Sequence, residues 1–293
     1  MTSNKISVEI APTISHSSLI KFQFIYRNLK SAERRAADYC LLHPEDIAQL
    51  TISEVAQKVQ CSEATLVRLA RHLGYGGYPE LRAEILRGDQ EDVSHYVVNS
   101  SSDEIETIAD NLFNLCILYL QDSIHATDKD ALKAAAKLLL GAKRFVFVAA
   151  GDAHFVAASG AQKFTRLGYV ATASTDFDSQ LLALSQMSSE DVLICISHSG
   201  KTRTVCDLAK IAHEHGIKVV SITNFPVSPL AKHSDIVLLT ASFAYDMMDE
   251  VIAKRVPALC LLDSLYIYLL VHQKHVEPAR LENANEFLRM NKL

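Results

Sequence analysis

The sequence has 293 residues, of which 49% are hydrophobic and 22% are charged, and its net charge is −5. This length allows two domains with buried cores, and this composition excludes fibrous, low-complexity and disordered proteins. No apolar run approaches the ~20 residues of a membrane helix, and residues 1–18 lack the basic-then-apolar order of a signal peptide, so we expect a cytoplasmic protein without membrane contact.

The cysteines and the charges narrow the possible functions. The six cysteines form no C-x-x-C pair, which argues against a zinc ribbon or a disulfide framework. Residues 21–88 carry ten Lys and Arg against eight Asp and Glu, whereas all other residues carry 19 against 26. Only the N-terminal part therefore tolerates a polyanion, and affinity for nucleic acid requires basic residues gathered on one face.

Residue patterns predict that the N-terminal segment is entirely helical. A first helix begins at Ser31 and ends near His43-Pro44, because proline cannot continue it. Thr51 or Ser53 caps a second short helix, which ends at a turn formed by Gln60-Cys61. The inward positions of this second helix are Ile52, Val55, Ala56 and Val59.

A third helix is predicted over Glu63–His72, with Ser62 as its cap and Gly74 as its left-handed end. Most of its apolar positions are supplied by Ala64, Leu66, Val67, Leu69 and Ala70. Two short helices joined by a tight turn are typical of a helix-turn-helix, whose second helix enters the major groove of DNA. The side chains predicted to point outward from that helix are Thr65, Arg68 and Arg71. The alternative is a helical hairpin whose exposed arginines only face solvent.

The string ISEVAQKVQCSEATLVRLARHLGYGGYPELR resembles the N-terminal domain of the RpiR family of bacterial regulators. In this resemblance residues 62–71 are the recognition helix, residues 73–78 are the family's L-G-x-x-G-[FY] turn, and Leu81-Arg82 begins the closing helix. The resemblance covers residues 21–87 and implies that the partner is operator double-stranded DNA. The residues that we expect to face this DNA are Ser53, Ser62, Glu63, Thr65, Arg68 and Arg71.

A polar, serine-rich segment, Gly88–Asp103, is predicted to link two domains. A long helix follows over Ile105–Ile124, and its apolar residues cover a broad surface. Such a surface is buried against the second domain or against a partner subunit, so we expect a homodimer or a homotetramer.

From Asp130 onward helices and strands alternate, which predicts a doubly wound α/β domain with a five-stranded parallel sheet. The predicted strands are Phe145–Ala149, Tyr169–Ala173, Val192–Ile196, Ile217–Ile222 and Ile236–Leu239. The predicted helices of this part are Asp130–Leu140, a helix from Gly151 through Phe164, Ser179–Met187, a helix from Thr202, and a short one opened by Ser228-Pro229.

The third predicted strand ends in a polar loop, residues 197–202, at the start of a helix. The free N–H groups and the dipole of a first helical turn favour an anion, and Ser197, Ser199 and Thr202 offer hydroxyl donors. Gly200 allows the backbone to approach a ligand. An ordinary polar turn is the alternative. The pattern S-x-S-G-x-T after a buried strand resembles the phosphate loop of the SIS (sugar isomerase) domain, and this resemblance extends over about residues 130–272.

Two positions depart from the SIS pattern. Residues 149–153 read Ala-Ala-Gly-Asp-Ala where the family usually has a G-x-G-G-S-like turn, and Asp176-Phe177-Asp178 stands where D-x-H is expected. The added carboxylate of Asp152 repels a phosphate, so we expect the loop 197–202 to hold the phosphate alone. Asp152 then either accepts hydrogen bonds from a sugar hydroxyl or amino group, or caps the next helix. The expected ligand-lining residues are Gly151, Asp152, Ala153, Ser197, His198, Ser199, Gly200, Lys201 and Thr202.

Together the two resemblances imply a bacterial transcription regulator whose SIS domain binds a phosphorylated sugar that changes the affinity for operator DNA. The predicted segments are an extension (1–20), the helix-turn-helix domain (21–92), a linker and connecting helix (93–129), the SIS domain (130–275) and a helical tail (276–293).

We expect no catalytic residues and no cofactor, because the sequence offers a phosphate loop without an assignable base. We also expect no metal site, because His213 and His215 point to different sides of their helix. The alternative is a SIS-type aldose-ketose isomerase with an accessory helical domain. In that enzyme a carboxylate of Asp246, Asp249 or Glu250 would act as the enolisation base.

Overall fold

The structure is a computed structural model that describes residues 18, 21–22, 25–26, 29–87, 104–242, 252–272 and 278–290. The chain divides into two compact units, residues 1–103 and 104–293. Among the described residues, the first unit contains only helices and the second unit contains every strand.

The N-terminal unit consists of short helices around a small apolar core. They are α1 (Ser31–Leu42), α2 (Pro44–Gln49), α3 (Ile52–Val59), α4 (Glu63–His72) and α5 (Tyr78–Arg87). The fully buried side chains of the core include Ala36, Cys40, Ile47, Val55, Leu66, Leu69, Leu81 and Ile85. Burial of these apolar groups holds α3 and α4 in place. The helical character predicted for this segment is confirmed, although α2, which begins at a proline, was not expected.

Thr51, rather than Ser53, caps α3. Thr51 Oγ1 accepts a hydrogen bond from the Glu54 N–H at 3.3 Å, and Glu54 Oε2 accepts one from the Thr51 N–H at 2.8 Å. This reciprocal pair is a capping box, which satisfies two backbone donors at once. Gln60 then turns the chain toward α4 with φ 56° and ψ 50°, a left-handed conformation that costs a non-glycine residue ~1–2 kcal/mol.

The two ends of α4 differ in how well they were predicted. Gly74 has φ +85°, and the Tyr75 N–H donates to Ala70 O at 2.9 Å, which confirms the left-handed end. Ser62 is the N-cap residue at the start, as predicted, but its side chain makes no cap hydrogen bond. Its Oγ lies instead 2.9 Å from Oγ1 of the buried Thr65.

The C-terminal unit contains a five-stranded sheet with the order β2-β1-β3-β4-β5, and every neighbouring pair is parallel. The strands are β1 (Arg144–Val148), β2 (Val170–Ala173), β3 (Val192–Ile196), β4 (Lys218–Thr223) and β5 (Ile236–Leu239). The predicted fold class is confirmed. The bounds of β1, β2 and β4 differ from the predicted ones by one residue, which is within the usual uncertainty of strand ends.

Helices cover both faces of this sheet. The helices of this unit are α6 (Ile105–Ala126), α7 (Lys129–Leu140), α8 (Ala153–Arg166), α9 (Phe177–Ser185), α10 (Arg203–Glu214), α11 (Val256–His272) and α12 (Pro278–Arg289), and α7 to α11 cover the sheet. Phe145, Phe147 and Ile194 pack with α7, α8 and α11, whereas Val146 and Leu193 pack with α9 and α10. Successive strand residues point to opposite faces, so a strand buried on both sides is apolar along its whole length.

The short helix predicted to open at Ser228-Pro229 is wrong. These residues form a turn that leads into a single 3-10 turn, Ala231–His233. Ser228 still acts as a cap, because its Oγ accepts a hydrogen bond from the Ala231 N–H at 3.1 Å. The stretch before β5 is too short for a longer helix.

The long helix α6 belongs to the C-terminal unit. Tyr119 packs against Ala253, and Ser123 Oγ accepts a hydrogen bond from the Ala241 N–H at 2.8 Å. The opposite face of α6 carries exposed apolar side chains. The sequence left two partners open for this helix, the second domain and a second subunit. The second domain covers one face of it.

Among the described residues, one helical stretch, Ala253–His272, is long and apolar enough to span a membrane. Its Ala258, Leu262, Leu265 and Leu269 side chains lie in the core that α11 forms with the sheet. A single helix of this length and composition is weak evidence for a membrane span, because a helix buried in the core of a soluble protein is apolar as well.

The packing of α8 leads to a stability prediction. A Cβ at Gly160 would lie 2.6 Å from Cε1 of Phe147 and 3.1 Å from Cδ1 of Leu262. Alanine improves helix propensity by ~1 kcal/mol, but overpacking a core costs ~1–3 kcal/mol. We expect Gly160→Ala to lower the free energy of unfolding by up to ~2 kcal/mol, measured by urea denaturation.

Gly141→Ala is the matched control. Gly141 has φ −89°, and the nearest contact of an added Cβ is Leu138 O at 3.7 Å. This variant should be neutral or more stable by ~0.4–1 kcal/mol. An equal loss of stability in both variants would contradict a packing constraint at Gly160.

Candidate functional sites

Two loops lie at the carboxyl edge of the sheet where the strand order reverses. The chain moves outward from β1 to β2 on one side and from β3 to β4 on the other. Open α/β sheets bind ligands outside the carboxyl ends of the strands at such a switch point. We call residues 149–152, which follow β1, the first loop, and residues 197–202, which follow β3, the second loop.

A close backbone approach fixes the second loop. Gly200 has φ +61°, a conformation that glycine adopts without steric cost. A Cβ at this position would overlap Ser228 Oγ and would lie 2.5 Å from Ser228 Cβ. The loop can therefore adopt this path only with glycine at position 200.

Hydrogen bonds tie the second loop to the end of β4. The Ser197 N–H donates to Ile222 O at 3.1 Å. The Asn224 N–H and the Thr223 hydroxyl both donate to His198 O, at 3.0 Å and 3.1 Å. Because these partners belong to the neighbouring strand, the loop is ordered before a ligand arrives, which lowers the entropic cost of binding.

The carbonyl of Gly200 is held from two further directions. It accepts hydrogen bonds from the Leu230 N–H at 3.0 Å and from Cys206 Sγ at 3.3 Å. Burial raises the pKa of the Cys206 thiol, so this group stays protonated and keeps its donor hydrogen.

The second loop carries hydrogen-bond donors at the switch point of the sheet. We call the space outside the two loops the crevice. Ser199 and Lys201 are exposed, Thr202 is half-buried and Ser197 is buried. Ser197 Oγ lies 3.0 Å from Thr202 Oγ1, so the two hydroxyls orient each other. Thr202 is the N-cap residue of α10 and its side chain makes no cap hydrogen bond. The first-turn N–H groups and the positive end of α10 therefore favour an anion of phosphate size at this loop.

The first loop contains an ion pair with Arg255. The guanidinium donates to Asp152 Oδ2 at 2.9 Å, and the side chains are 14% exposed for Arg255 and 40% exposed for Asp152. The guanidinium carbon also lies 5.5 Å from the centre of the Phe155 ring. A charge-assisted hydrogen bond at this depth fixes both side chains.

This ion pair corrects two interpretations of Asp152. Asp152 does not cap α8, because its backbone is helical and its side chain makes no cap hydrogen bond. The repulsion expected between a lone carboxylate and a phosphate does not apply, since Arg255 balances the charge. Gly151 is exposed with φ +56°, whereas Ala153 is only 7% exposed.

Gln180 braces the first loop and was missed by the sequence analysis. Its side chain is 3% exposed, and Nε2 donates to Ala149 O at 3.3 Å and to Ser174 O at 2.6 Å. A buried amide that bonds to the ends of β1 and β2 holds them at a fixed separation. No sequence motif marks this glutamine, because its role depends on two carbonyls that only the fold brings together.

Two further predictions concerned an acidic base and a metal site. The acidic residues Asp246, Asp249 and Glu250 lie outside the described residues. In the described part of the chain, no group of three or more His, Cys, Asp or Glu side chains could hold a metal ion.

In the N-terminal unit, α3, the turn at Gln60 and α4 form the helix-turn-helix arrangement. Arg68 and Arg71 of α4 are exposed, as predicted. Two predictions for this helix are wrong: Thr65 is 3% exposed and faces inward, and Ala64 is exposed. The inward face of α4 is therefore rotated by about one residue from the predicted one.

The polar residues at the start of α4 bond to one another. Ser53 Oγ of α3 donates to Glu63 Oε1 at 2.5 Å. Thr65 Oγ1 lies 2.9 Å from Ser62 Oγ and accepts a hydrogen bond from an Arg68 terminal nitrogen at 3.4 Å. Of the six residues predicted to face DNA, Thr65 is thus buried, and its hydroxyl contacts the side chains of Ser62 and Arg68.

Family models match both units of the chain. The helix-turn-helix domain of the rpiR family matches residues 13–92, and the SIS domain matches residues 138–254. An HTH-type transcriptional regulator of Thermotoga maritima is 30% identical over 266 residues, which cover 89% of this chain and 93% of that protein. The chain belongs to the RpiR family of HTH-type transcriptional regulators.

Two further proteins resemble this RpiR-family chain over most of its length. HexR of Escherichia coli is 27% identical over 221 residues, which cover 75% of this chain and 76% of HexR. The structure of Vibrio vulnificus NanR complexed with ManNAc-6P has a TM-score of 0.62 and 26% identity, and covers 94% of this chain and 100% of the NanR chain. The predicted family and the predicted role in transcription regulation are confirmed.

The glycine in the second loop of this RpiR-family protein provides a direct test of the loop geometry. Gly200→Ala should lose ~1–2 kcal/mol of stability from the left-handed backbone and a further ~1–3 kcal/mol from the overlap with Ser228. Urea denaturation measures both contributions together.

Gly216→Ala separates the two contributions. Gly216 has φ +73°, but an added Cβ meets nothing within 4 Å. This control should show only the backbone cost of ~1–2 kcal/mol. If both variants lose the same stability, the contact with Ser228 does not constrain the loop.

Proposed function

We propose that this RpiR-family regulator binds a phosphorylated sugar between the first and second loops, and that this binding changes the affinity of the helix-turn-helix for operator DNA. The observation that carries the proposal is the second loop, a glycine-dependent turn that presents hydroxyl and N–H donors at the switch point of the sheet. NanR, a similar protein, is complexed with a sugar phosphate, which supports the same class of ligand here.

The second loop supplies the phosphate site in this proposal. Ser199, Thr202 and the first-turn N–H groups of α10 donate hydrogen bonds to the phosphate oxygens, and the helix dipole adds a favourable charge interaction. Lys201 is exposed beside them and contributes a positive charge. His198 and Gly200 contribute backbone geometry, because the His198 carbonyl is held at the end of β4 and the Gly200 carbonyl is held by Leu230 and Cys206.

The first loop supplies the contacts to the sugar. Gly151 lets the backbone approach the ligand, and Asp152 keeps a partly exposed carboxylate that accepts hydrogen bonds from hydroxyl or amino groups. Since Arg255 balances its charge, Asp152 can accept these bonds without repelling the phosphate. This division of roles makes Asp152 a determinant of which sugar binds.

A ligand screen tests the proposed site. A panel of hexose, pentose and amino-sugar phosphates, with ManNAc-6P and inorganic phosphate included, is titrated by thermal shift. A ligand at 100 times its Kd stabilises by ~2.7 kcal/mol, which raises Tm by roughly 5–10 °C. Ser199→Ala should weaken binding at least about tenfold, because a hydrogen bond to a charged group contributes ~1.5–3 kcal/mol.

Ser185→Ala is the control for this substitution. Ser185 is an exposed serine at the carboxyl end of α9 and belongs to neither loop, so its substitution should leave ligand affinity unchanged. Asp152→Asn should alter the preference among sugars more than the affinity for inorganic phosphate. Wild-type affinity in Ser199→Ala would remove the phosphate site from the second loop.

We infer that the ligand is sensed and not converted. The one carboxylate in residues 149–152 and 197–202 is Asp152, and it is tied to Arg255. Enolisation needs a base within hydrogen-bond reach of the sugar carbon that loses a proton. Chromatography of the ligand after overnight incubation with the protein should return the same isomer, and a mixture of isomers would favour the isomerase alternative.

The helix α4 supplies the DNA contacts in this proposal through Arg68 and Arg71, together with Ser62 and Glu63 at its start and Ser53 of α3. Arg68→Ala should cost ~1–3 kcal/mol of affinity if its guanidinium contacts a base edge. The probe is a duplex that the wild-type protein selects from a random library, and binding is followed by anisotropy at several salt concentrations.

Arg71→Ala should weaken binding to any duplex and reduce the salt slope by about one, as expected of a phosphate contact. Lys133→Ala is the control, because Lys133 is 72% exposed on α7 of the other unit. Unchanged affinity in both arginine variants would exclude α4 as the DNA-contacting helix.

The exposed face of α6 supports the proposed assembly into a homodimer or a homotetramer. Phe113, Ile117 and Ile124 are 71%, 51% and 70% exposed, and their spacing places them on one stripe of the helix. A stripe of this kind is buried when it packs against the same stripe of a second copy. We place the regulator in the cytoplasm, where its DNA partner is.

Light scattering tests the assembly. Phe113→Asp combined with Ile117→Asp should yield monomers, because a charge cannot be buried unpaired in an apolar interface. Leu182→Asp on α9 is matched for exposure at 69% and should leave the mass unchanged. If only Leu182→Asp lowers the mass, α6 is not the interface.

A further inference from the structure

Glu33 is a buried carboxylate that lies outside the helix-turn-helix pair. It belongs to α1, and its side chain is only 4% exposed. An ionised group at this depth requires partners that replace its lost water. No sequence motif marks this glutamate, because its partners Arg68 and His72 lie about 35 to 40 residues farther along the chain.

The partners of Glu33 lie on the DNA-facing helix. Its Oε1 lies 3.4 Å from Arg68 Nε, and its Oε2 lies 3.7 Å from His72 Nδ1. Oε2 also accepts the Lys30 N–H at 3.4 Å. The inner edge of the Arg68 guanidinium is thus held by Glu33 and by Thr65, while the side chain as a whole stays 60% exposed.

We propose that Glu33 is a positioning residue, which holds Arg68 in the orientation that reads DNA. Free arginine has many side-chain rotamers, and fixing one before binding removes that entropic cost from the complex. Arg68 suits this role because Nε engages Glu33 while the outer N–H groups of the planar fork remain available for a base edge. The inference rests on the proposed contact between α4 and DNA.

A purely structural role for Glu33 would be to attach α1 to α4. Because Arg68 and His72 are 60% and 54% exposed, water screens their attraction to Glu33, so these ion pairs add less stability than fully buried ones. A carboxylate near DNA also opposes binding by repelling phosphates. The pair therefore has its main effect on the orientation of Arg68, which appears as discrimination between DNA sequences.

The test compares Glu33→Gln with the wild-type full chain. Glutamine keeps the size and one acceptor oxygen but removes the charge. The measured quantity is the ratio of affinities for the library-selected duplex and for a scrambled duplex of the same composition. We expect this ratio to fall about tenfold in Glu33→Gln, with unchanged circular dichroism.

Glu45→Gln is the charge-matched control. Its carboxylate is 51% exposed on α2 and lies 3.5 Å from His43. Removing this negative charge should raise both affinities by a similar factor and leave their ratio unchanged. An equal fall of the ratio in Glu33→Gln and Glu45→Gln would overturn the proposal.

A double-mutant cycle separates positioning from structure. In the Arg68→Ala background, Glu33→Gln should not change the ratio further, because Glu33 acts through Arg68. An undiminished effect in that background would overturn the proposal. If Glu33→Gln does not fold, Arg68→Lys is measured instead. Lysine keeps the charge but cannot bond to Glu33 and to a base at the same time. The wild-type ratio of affinities in Arg68→Lys would therefore overturn the proposal.

These outcomes are distinct from a failure of the proposed DNA contact. In that case Arg68→Ala and Arg71→Ala both bind the selected duplex as the wild type does. If those variants lose affinity while Glu33→Gln keeps the wild-type ratio, only the positioning role is excluded.

Discussion

The close approach of Gly200 to Ser228 is the constraint on which the ligand crevice depends. It places the second loop against the end of β4, where Thr223 and Asn224 hold the carbonyl of His198. The loop therefore presents its donors in a fixed arrangement, and α10 begins directly behind them. Preorganised donors of this kind bind an anion without first paying for their own ordering.

The helix-turn-helix follows the same physical principle on a different scaffold. Its core is small, the polar side chains at the start of α4 are fixed by one another, and Arg68 farther along α4 is paired with Glu33 of α1. Each unit thus has a rigid recognition element of its own. Regulation requires that the two elements be coupled, which happens when the ligand and DNA prefer different members of the same ensemble of conformations.

Local signals predicted much of this structure, and contacts distant in sequence limited the rest. The strand Val192–Ile196 and the end of α4 at Gly74 were predicted correctly, because apolar runs and left-handed glycines act within a few residues. The role of Asp152 was not, since its partner Arg255 is 103 residues away in the sequence. Thr65 was assigned to the wrong face, because the burial of a small polar residue depends on which neighbours surround it.

Regulation by the sugar phosphate requires that ligand binding and DNA binding be coupled in one molecule. The direct measurement is the Kd for the library-selected duplex with and without a saturating sugar phosphate, together with the ligand Kd with and without DNA. Coupling predicts that the Kd for DNA and the Kd for the sugar phosphate change by the same factor. This factor is about 5–150-fold, which corresponds to a coupling free energy of ~1–3 kcal/mol. A ligand that binds the second loop and leaves the DNA Kd unchanged would contradict it.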